Sequence, residues 1–350
     1  MKTSNATTWL ASAPVRTADI GGWTDTWFAG VGAVCNIALE HRAQVTVVHD
    51  PDAAPMVDLA LAITGERYSF RPGEEPGRHP IIEHAISAAM PHASVTITID
   101  NSIEPGSGLG TSAAVMVALV AGLLACDGHD IDPADIATRA HRYETSTGKQ
   151  SGVQDHWASA WGGISLLSVE YPAVVRMPVV ITDTTAAELE RRLHTVYLGS
   201  PHASSSLHDE VIARLEIQRA PCLDEMRTAA NAAAAALADG DLDAYGASLS
   251  AHHEAVRTMH PGLVGRDAIQ LVALASGFGA SGWKVNGAGG EGGSMVVLGP
   301  SDADANAALR AVIEAHGSWQ VVQAALGATG VRVERQPERA TIAAIGERVG

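Results

Sequence analysis

The stretch 105–114, PGSGLGTSAA, opens a run of Ala, Val and Leu that continues to Cys126. It places three glycines, a Thr and a Ser where a helix ordinarily begins with a capping side chain. Just upstream, SVTITID (94–100) alternates at period two, so the segment reads as strand, loop and helix. Backbone N–H groups in such a turn point at whatever lies before the helix, and the helix dipole adds about half a positive charge there. Gly106, Gly108 and Gly110 therefore suit a polyphosphate, with a hydroxyl from Thr111 or Ser112 available to a Mg²⁺ ion. The glycines run G-x-G-x-G, which is neither Walker A, with its Gly-Lys-Ser/Thr, nor the dinucleotide G-x-G-x-x-G. Taken alone, the plainer reading, a cap whose glycines allow close packing, has the better claim.

With 350 residues the chain exceeds one average core, so two domains are expected, 1–185 and 186–350, the boundary falling between about 175 and 195. Lys plus Arg number 23 against 39 Asp plus Glu, a net charge of −16 that repels polyanions. The longest basic run is Arg191-Arg192, so nucleic acid and anionic membrane are excluded as partners. Cys35, Cys126 and Cys222 are odd in number and scattered, which suggests neither a disulfide framework nor a thiolate metal cage and fits a reducing cytoplasm. The N-terminus lacks a sustained apolar segment, and the run 113–126 is shorter than the roughly 20 residues that span a bilayer. A soluble, unprocessed, cytoplasmic protein is expected, and the sequence leaves a homodimer open.

Elsewhere, residues 9–50 are β-rich and turn-punctuated, and DPADIATRAHRYETS (132–146) reads as a helix capped by Asp132, begun by Pro133 and carrying Glu144 near its end. SGVQDHWASAWGGISLLSV (151–169) reads as loop, short helix and strand. Beyond it come a strand in HTVYLG (194–199) and Ala-rich helices at 222–239 and 242–259. A second glycine cluster, NGAGGEGG (286–293), precedes the strand SMVVLG, and a last helix (304–317) and strand (330–335) follow. The histidines of HPIIEH (79–84) and HHEAVRTMH (252–260) lack H-E-x-x-H spacing and are read as structural or surface residues.

The glycine loop has companions. APVR (13–16), PGSGLGTSA (105–113) and GAGGEGG (287–293), with YETSTGKQSGVQDHWASAWGG (143–163) between the last two, resemble in order the motifs of the GHMP small-molecule kinases, over about residues 12–298. Within that family, DIGGWTDT (19–26) and SGVQDHWASAWGG look most like the fucokinase and heptose-phosphate kinase branch, whose members phosphorylate an anomeric sugar hydroxyl. The resemblance implies an α+β, two-domain fold: an N-terminal α/β domain with the phosphate loop and a ferredoxin-like C-terminal domain. It implies ATP and Mg²⁺ as cofactors, with Pro105, Gly106, Ser107, Gly108, Leu109, Gly110, Thr111 and Ser112 cradling the nucleotide and Ser112 and Glu144 holding the metal. Asp155 falls at the family's catalytic aspartate, and Arg16, placed near it, would lower its pKa and steady the transferring phosphoryl group. Gly22, Trp23 and Asp25 would meet the sugar, as would Gly289 and Gly290 of the second glycine loop.

Three departures narrow the substrate. Glu291 interrupts the family's glycine run, Gln154-Asp155-His156 replaces Gln-Asp-Gln, and His202 stands where those kinases often carry an arginine. Without that fixed cation a free sugar or polyol is favoured over a sugar phosphate, with His202 and His208 as further pocket residues. The competing readings are a kinase for another alcohol (an inositol, homoserine or a mevalonate-like acid) and a catalytically inactive ligand sensor of the same fold. A pure sensor has no need of the full set Arg16, Ser112, Glu144 and Asp155.

Overall fold

A long hairpin organises the first sheet. In this computed structural model, which describes residues 5–101, 106–201, 205–217, 221–323 and 325–337, β1 (Thr7–Ile20) and β2 (Val31–His49) pair antiparallel from Thr7↔His49 to Ile20↔Cys35. The register slips between Pro14 and Val15, where proline has no N–H to give the ladder, and again between Thr17 and Ile20, where Ala18 takes φ +52°. On a regular strand residues i and i+3 face opposite sides. The second slip lets Arg16 and Asp19 meet, with a guanidinium nitrogen 3.7 Å from Asp19 Oδ2.

The hairpin β3 (Met56–Leu61) and β4 (Glu66–Phe70) is followed by α1 (Pro80–Ala89) and β5 (Ser94–Asn101). β3 and β5 run parallel, joined by the crossover through α1, while every other strand pair in the described residues is antiparallel. On this sheet lies α2 (Thr111–Cys126), flanked by α3 (Pro133–Ser146) and α4 (Gln154–Trp161). Being apolar all round, α2 is buried on every face. It approaches the strands closely at Gly122, where a Cβ would stand 3.0 Å from Val47 Cγ2. The second half of β2 pairs with β5, and its first half with β6 (Ile164–Glu170), which pairs in turn with β7 (Ala173–Pro178).

After α5 (Asp183–Arg192) comes β8 (Leu193–Tyr197), then α6 (Ser205–Ile217), α7 (Pro221–Asp239), α8 (Leu242–Met259) and α9 (Arg266–Gly277). β9 (Gly282–Val285), β10 (Ser294–Leu298), α10 (Ala303–Ala315) and β11 (Gln320–Val322) complete the second sheet, in the order β11-β8-β10-β9. Numbered within that sheet, the order is 4-1-3-2, with helices between its first and second and its third and fourth strands, the ferredoxin-like arrangement. Alanines of α7 (Ala229, Ala230, Ala233) share a core with Ala33, Cys35 and Ile37 of β2, so the two sheets are joined through packed helix. β12 (Arg332–Gln336) then returns to β1, pairing from Thr8↔Gln336 to Ser12↔Arg332. A division at residue 185 thus leaves one strand of the first sheet in the second segment.

Candidate active site

The N-terminus of α2 lacks the side-chain cap that α3, α8 and α10 carry. Asp132 caps α3 by accepting from Ala134 and Asp135 N–H, and Asp241 and Asp302 cap α8 and α10 in the same way. α2 begins instead at Gly110, in the left-handed conformation (φ +73°), with no side chain on its first-turn N–H groups. Those donors face a cavity of about 370 Å³ at the meeting of the two sheets.

Arg16 forms the floor. Its backbone N–H donates to Leu109 O (3.0 Å), tying β1 to the glycine loop, and its Nε donates to Asp155 Oδ1 at 2.8 Å. A second guanidinium nitrogen donates to the Gly108 carbonyl. Burial opposes the charge of this almost fully enclosed group, but Asp155 and Asp19 outweigh it and raise the Arg16 pKa. A Cβ on Gly110 would lie 3.4 to 3.5 Å from carbon and nitrogen of Arg16 and from the Asp155 carboxyl carbon, so loop, arginine and aspartate touch at this residue.

The second glycine loop is docked on β1 by charge. Lys284, fully buried, donates to Asp19 Oδ1 at 2.6 Å and to Val285 O, and the Gly287 N–H reaches both Asp19 oxygens at 3.1 and 3.3 Å. Burial works against the Asp19 charge, and Arg16 with Lys284 overcomes it, so the carboxyl is held below its usual range. Gly287 and Ala288 line the cavity. Gly289 and Gly290 do not. The Gly290 N–H donates to Leu263 O (2.7 Å), and Glu291 turns outward, its carboxylate accepting from Arg266 N–H at the start of α9.

α4 supplies Asp155 in its first turn, with the side chain 29% exposed towards the cavity. Beside it, Asp25 is buried and accepts from Gln154 N–H at 2.9 Å, and a Cβ on Gly152 would collide with its carboxylate. Burial, with the neighbouring Asp155 adding to it, pushes the Asp25 pKa up to about 6. Trp23, with φ +76°, packs edge-on against His208 at 5.4 Å and tilted against Phe28 at 6.3 Å, while Trp27 meets Phe28 at 5.1 Å. These four rings and Ile212 of α6 line the same cavity as Arg16 and Asp155 and form its apolar part. Burial holds the His208 pKa below its usual value.

At the other end stands Glu144, on α3. Its Oε1 accepts from Ser112 Oγ at 3.3 Å and from the Lys149 ammonium, while Oε2 accepts from Ser151 Oγ at 3.3 Å. His156 Nε2 stands 2.7 Å from Oε2, off the line of a hydrogen bond. Burial opposes the carboxylate charge, but His156 and Lys149 prevail and lower the Glu144 pKa. Among the described residues no three His, Cys, Asp or Glu side chains gather as a metal cage. Mg²⁺ seldom uses one: it takes one or two protein oxygens together with phosphate and water, and the Ser112 and Glu144 oxygens fit that demand.

Of the residues expected from sequence, Arg16, Gly22, Trp23, Asp25, Gly106, Ser107, Gly108, Gly110, Thr111, Ser112, Glu144 and Asp155 line this one cavity. Leu109 is buried beneath it, and Pro105 and His202 lie outside the described residues. Sequence reasoning missed Asp19, Lys284 and Lys149. A lysine three residues before the second glycine loop was the available signal for Lys284, and a lysine five residues after Glu144 that for Lys149. A second, largely apolar cavity of about 340 Å³ adjoins the first, lined by Leu61, Ile63, Ile82, Val115 and Met116 and sharing Thr111 and Ser112 with it.

Residues 80–163 match the GHMP kinases N terminal domain. The chain is 27% identical over 295 residues to mevalonate kinase of Methanothermobacter thermautotrophicus, covering 84% of this chain and 90% of that protein. It is 28% identical over 327 residues to galactokinase of Mycobacterium tuberculosis, covering 83% and 88%. The fold is shared with D-glycero-D-manno-heptose 1-phosphate kinase from Bacteroides thetaiotaomicron, with a TM-score of 0.74 at 18% identity over 94% of this chain and 99% of that one. Residues 80–163 thus carry a GHMP kinases N terminal domain, and the chain resembles small-molecule kinases over most of its length.

Proposed function

We propose that this chain is an ATP-dependent kinase for a free sugar, transferring the γ-phosphoryl group to the anomeric hydroxyl. The contact that carries the proposal is Arg16 against Asp155 at 2.8 Å, in a cavity that an uncapped helix N-terminus and a group of aromatic rings also line. The glycine loop and the first turn of α2 receive the phosphates, and the adjoining apolar cavity takes the base, since the two share Thr111 and Ser112. Ser112 and Glu144 would hold Mg²⁺, which neutralises phosphate charge when bound.

The chain's own residues then act as follows. The acceptor hydroxyl lies against Asp155, which takes its proton as the sugar oxygen bonds to the γ-phosphorus and the bond to the ADP oxygen breaks. Arg16, held charged by Asp155 and Asp19, stays protonated and faces the charge of the transferring group. Asp25 accepts from sugar hydroxyls, and the wall of Trp23, Trp27 and Phe28 covers the apolar face of the ring.

The charge inventory supports an uncharged acceptor. Among the described lining residues the fixed cations are Arg16 and Lys149, each already paired with carboxylate, against Asp19, Asp25, Glu144 and Asp155. A sugar phosphate or a mevalonate-like acid finds no free cation there. The anomeric position rests on the likeness of DIGGWTDT and GVQDHWASAWGG to the fucokinase and heptose-phosphate kinase branch. The test is ADP release from ATP and Mg²⁺ over hexoses, deoxyhexoses, pentoses, heptoses, their phosphates, inositols and homoserine. One strongly active free sugar whose 1-O-methyl glycoside is inert is the expected result. Silence across the panel while ATP still binds would favour the sensor reading.

A further inference from the structure

Lys149 is the cation of the cavity to which the reading above gives no task. It stands five residues after Glu144, beyond the end of α3, in a segment that belongs to neither helix nor strand. Its ammonium touches Glu144 Oε1 and lies 3.3 Å from Ser112 Oγ. Those are the same two oxygens to which the metal is assigned.

The carboxylate has no spare oxygen with which to serve both cations. Oε2 already accepts from Ser151 Oγ and lies 2.7 Å from His156 Nε2, which is fully buried. Ammonium and Mg²⁺ therefore compete for one oxygen pair, and two cations on the same pair repel. The lysine also has somewhere to go. Its side chain is 42% exposed, it lines the same cavity as Gly106–Ser112, and a four-carbon stem lets the ammonium swing while the backbone stays in place. A nucleotide on the glycine loop brings the nearest new negative charge.

We propose that Lys149 is a partner-trading phosphate ligand: in the nucleotide-free enzyme its ammonium occupies the metal position at Ser112 and Glu144, and on arrival of the metal–nucleotide complex it moves onto the phosphates. This rests on the kinase reading of the glycine loop and of Glu144. One consequence is reciprocal coupling. Metal alone must displace the lysine with nothing to receive it, whereas phosphate draws the lysine away and opens the site, so each ligand favours the other.

The experiment is a titration of Mn²⁺ into nucleotide-free protein, following the free ion by electron paramagnetic resonance, for the wild type, Lys149→Met, Lys149→Gln, Lys149→Arg and Glu144→Gln. A second titration measures ADP affinity without metal. Lys149→Met and Lys149→Gln should bind Mn²⁺ about fivefold more tightly than wild type, the strength of a partly buried ion pair removed. Their metal-free ADP affinity should fall about tenfold, as a charge-assisted contact is lost. Lys149→Arg should stay near wild type in both. Loss of a neighbouring positive charge by itself raises metal affinity, so the paired fall in metal-free ADP affinity is the reading that a stationary lysine would not give, and unchanged ADP affinity in both neutral variants also overturns the proposal. Unchanged or weaker Mn²⁺ binding in both neutral variants, or no binding in any variant without nucleotide, overturns the proposal. If Glu144→Gln abolishes metal binding in that case, the metal assignment survives without the exchange. If Glu144→Gln binds Mn²⁺ as wild type does, the metal assignment itself is lost and the exchange with it.

Discussion

Arg16 Nε and Asp155 Oδ1 are 2.8 Å apart although 139 residues separate them, and the arginine is buried while the aspartate is partly open to the cavity. That asymmetry divides their tasks: the buried partner keeps its charge, and the exposed one can meet a hydroxyl.

Asp155→Asn should lower turnover by about 10²–10⁴-fold, the usual worth of a general base, with little change in nucleotide affinity because the glycine loop is untouched. Steady-state rates set beside calorimetric ATP binding check this. Near wild-type turnover would remove Asp155 from the role of base.

Ser112→Ala should raise the Mg²⁺ concentration needed for half-maximal rate by about tenfold, since one of two protein oxygens is lost. An unchanged metal requirement would exclude Ser112 as a ligand.

Gly110→Ala tests the close approach at the loop. The residue has φ +73°, where a Cβ costs about 1–2 kcal/mol, and the added methyl would stand in van der Waals contact with both Arg16 and Asp155, so backbone relaxation there shifts the pair. Turnover should fall at least about tenfold with a drop in Tm of several degrees. A variant with wild-type rate would show that the loop tolerates side-chain bulk at this point.

Asp25 sets a pH dependence of stability. Its folded pKa of about 6 lies above the ordinary 3.8, so between these values the folded state binds more protons than the unfolded one. The stability tied to the protonated group is complete below about pH 4 and is lost as pH rises through about 6, an amount of up to about 3 kcal/mol. Asp25→Asn, neutral throughout, should gain stability relative to wild type from pH 4 to pH 7 in urea unfolding. A difference that stays flat with pH would mean the carboxyl is not desolvated.

Lys284→Met should destabilise by about 3–5 kcal/mol, because it leaves Asp19 buried beside a single remaining cation. Asp19→Asn combined with Lys284→Met should cost clearly less than the sum of the two single changes. Simple additivity in chemical denaturation would show that the pair is not coupled.

Much of the frame was legible in the sequence because it is written locally. Period-two alternation predicts a strand at 94–100 and the structure forms it at Ser94–Asn101, while the apolar run and the Asp132-Pro133 cap predict α2 and α3 to within a residue. The ordered motifs, APVR and the two glycine loops, carried the fold class. What stayed hidden depends on tertiary meeting. Asp19 and Lys284 lie 265 residues apart, and neither belongs to a local pattern that announces a buried pair. The motif locates the second glycine loop, but which of its residues face the cavity is decided by the Gly290 bond to Leu263, which turns Gly289 and Gly290 away and leaves Gly287 and Ala288 inside. The three-residue strand β11 is too short to carry a period, and it forms because β8 offers an open side.

The return of β12 to β1 has a practical consequence for anyone shortening the chain. Residues Thr8 to Ser12 are covered on their outer side by Arg332–Gln336. A version ending before this strand would bare a row of unsatisfied backbone donors and acceptors, a template on which a second molecule can add its own strand. Such a truncation is expected to lose solubility before it loses the phosphate loop, and an affinity handle is better placed after β12 than in its stead.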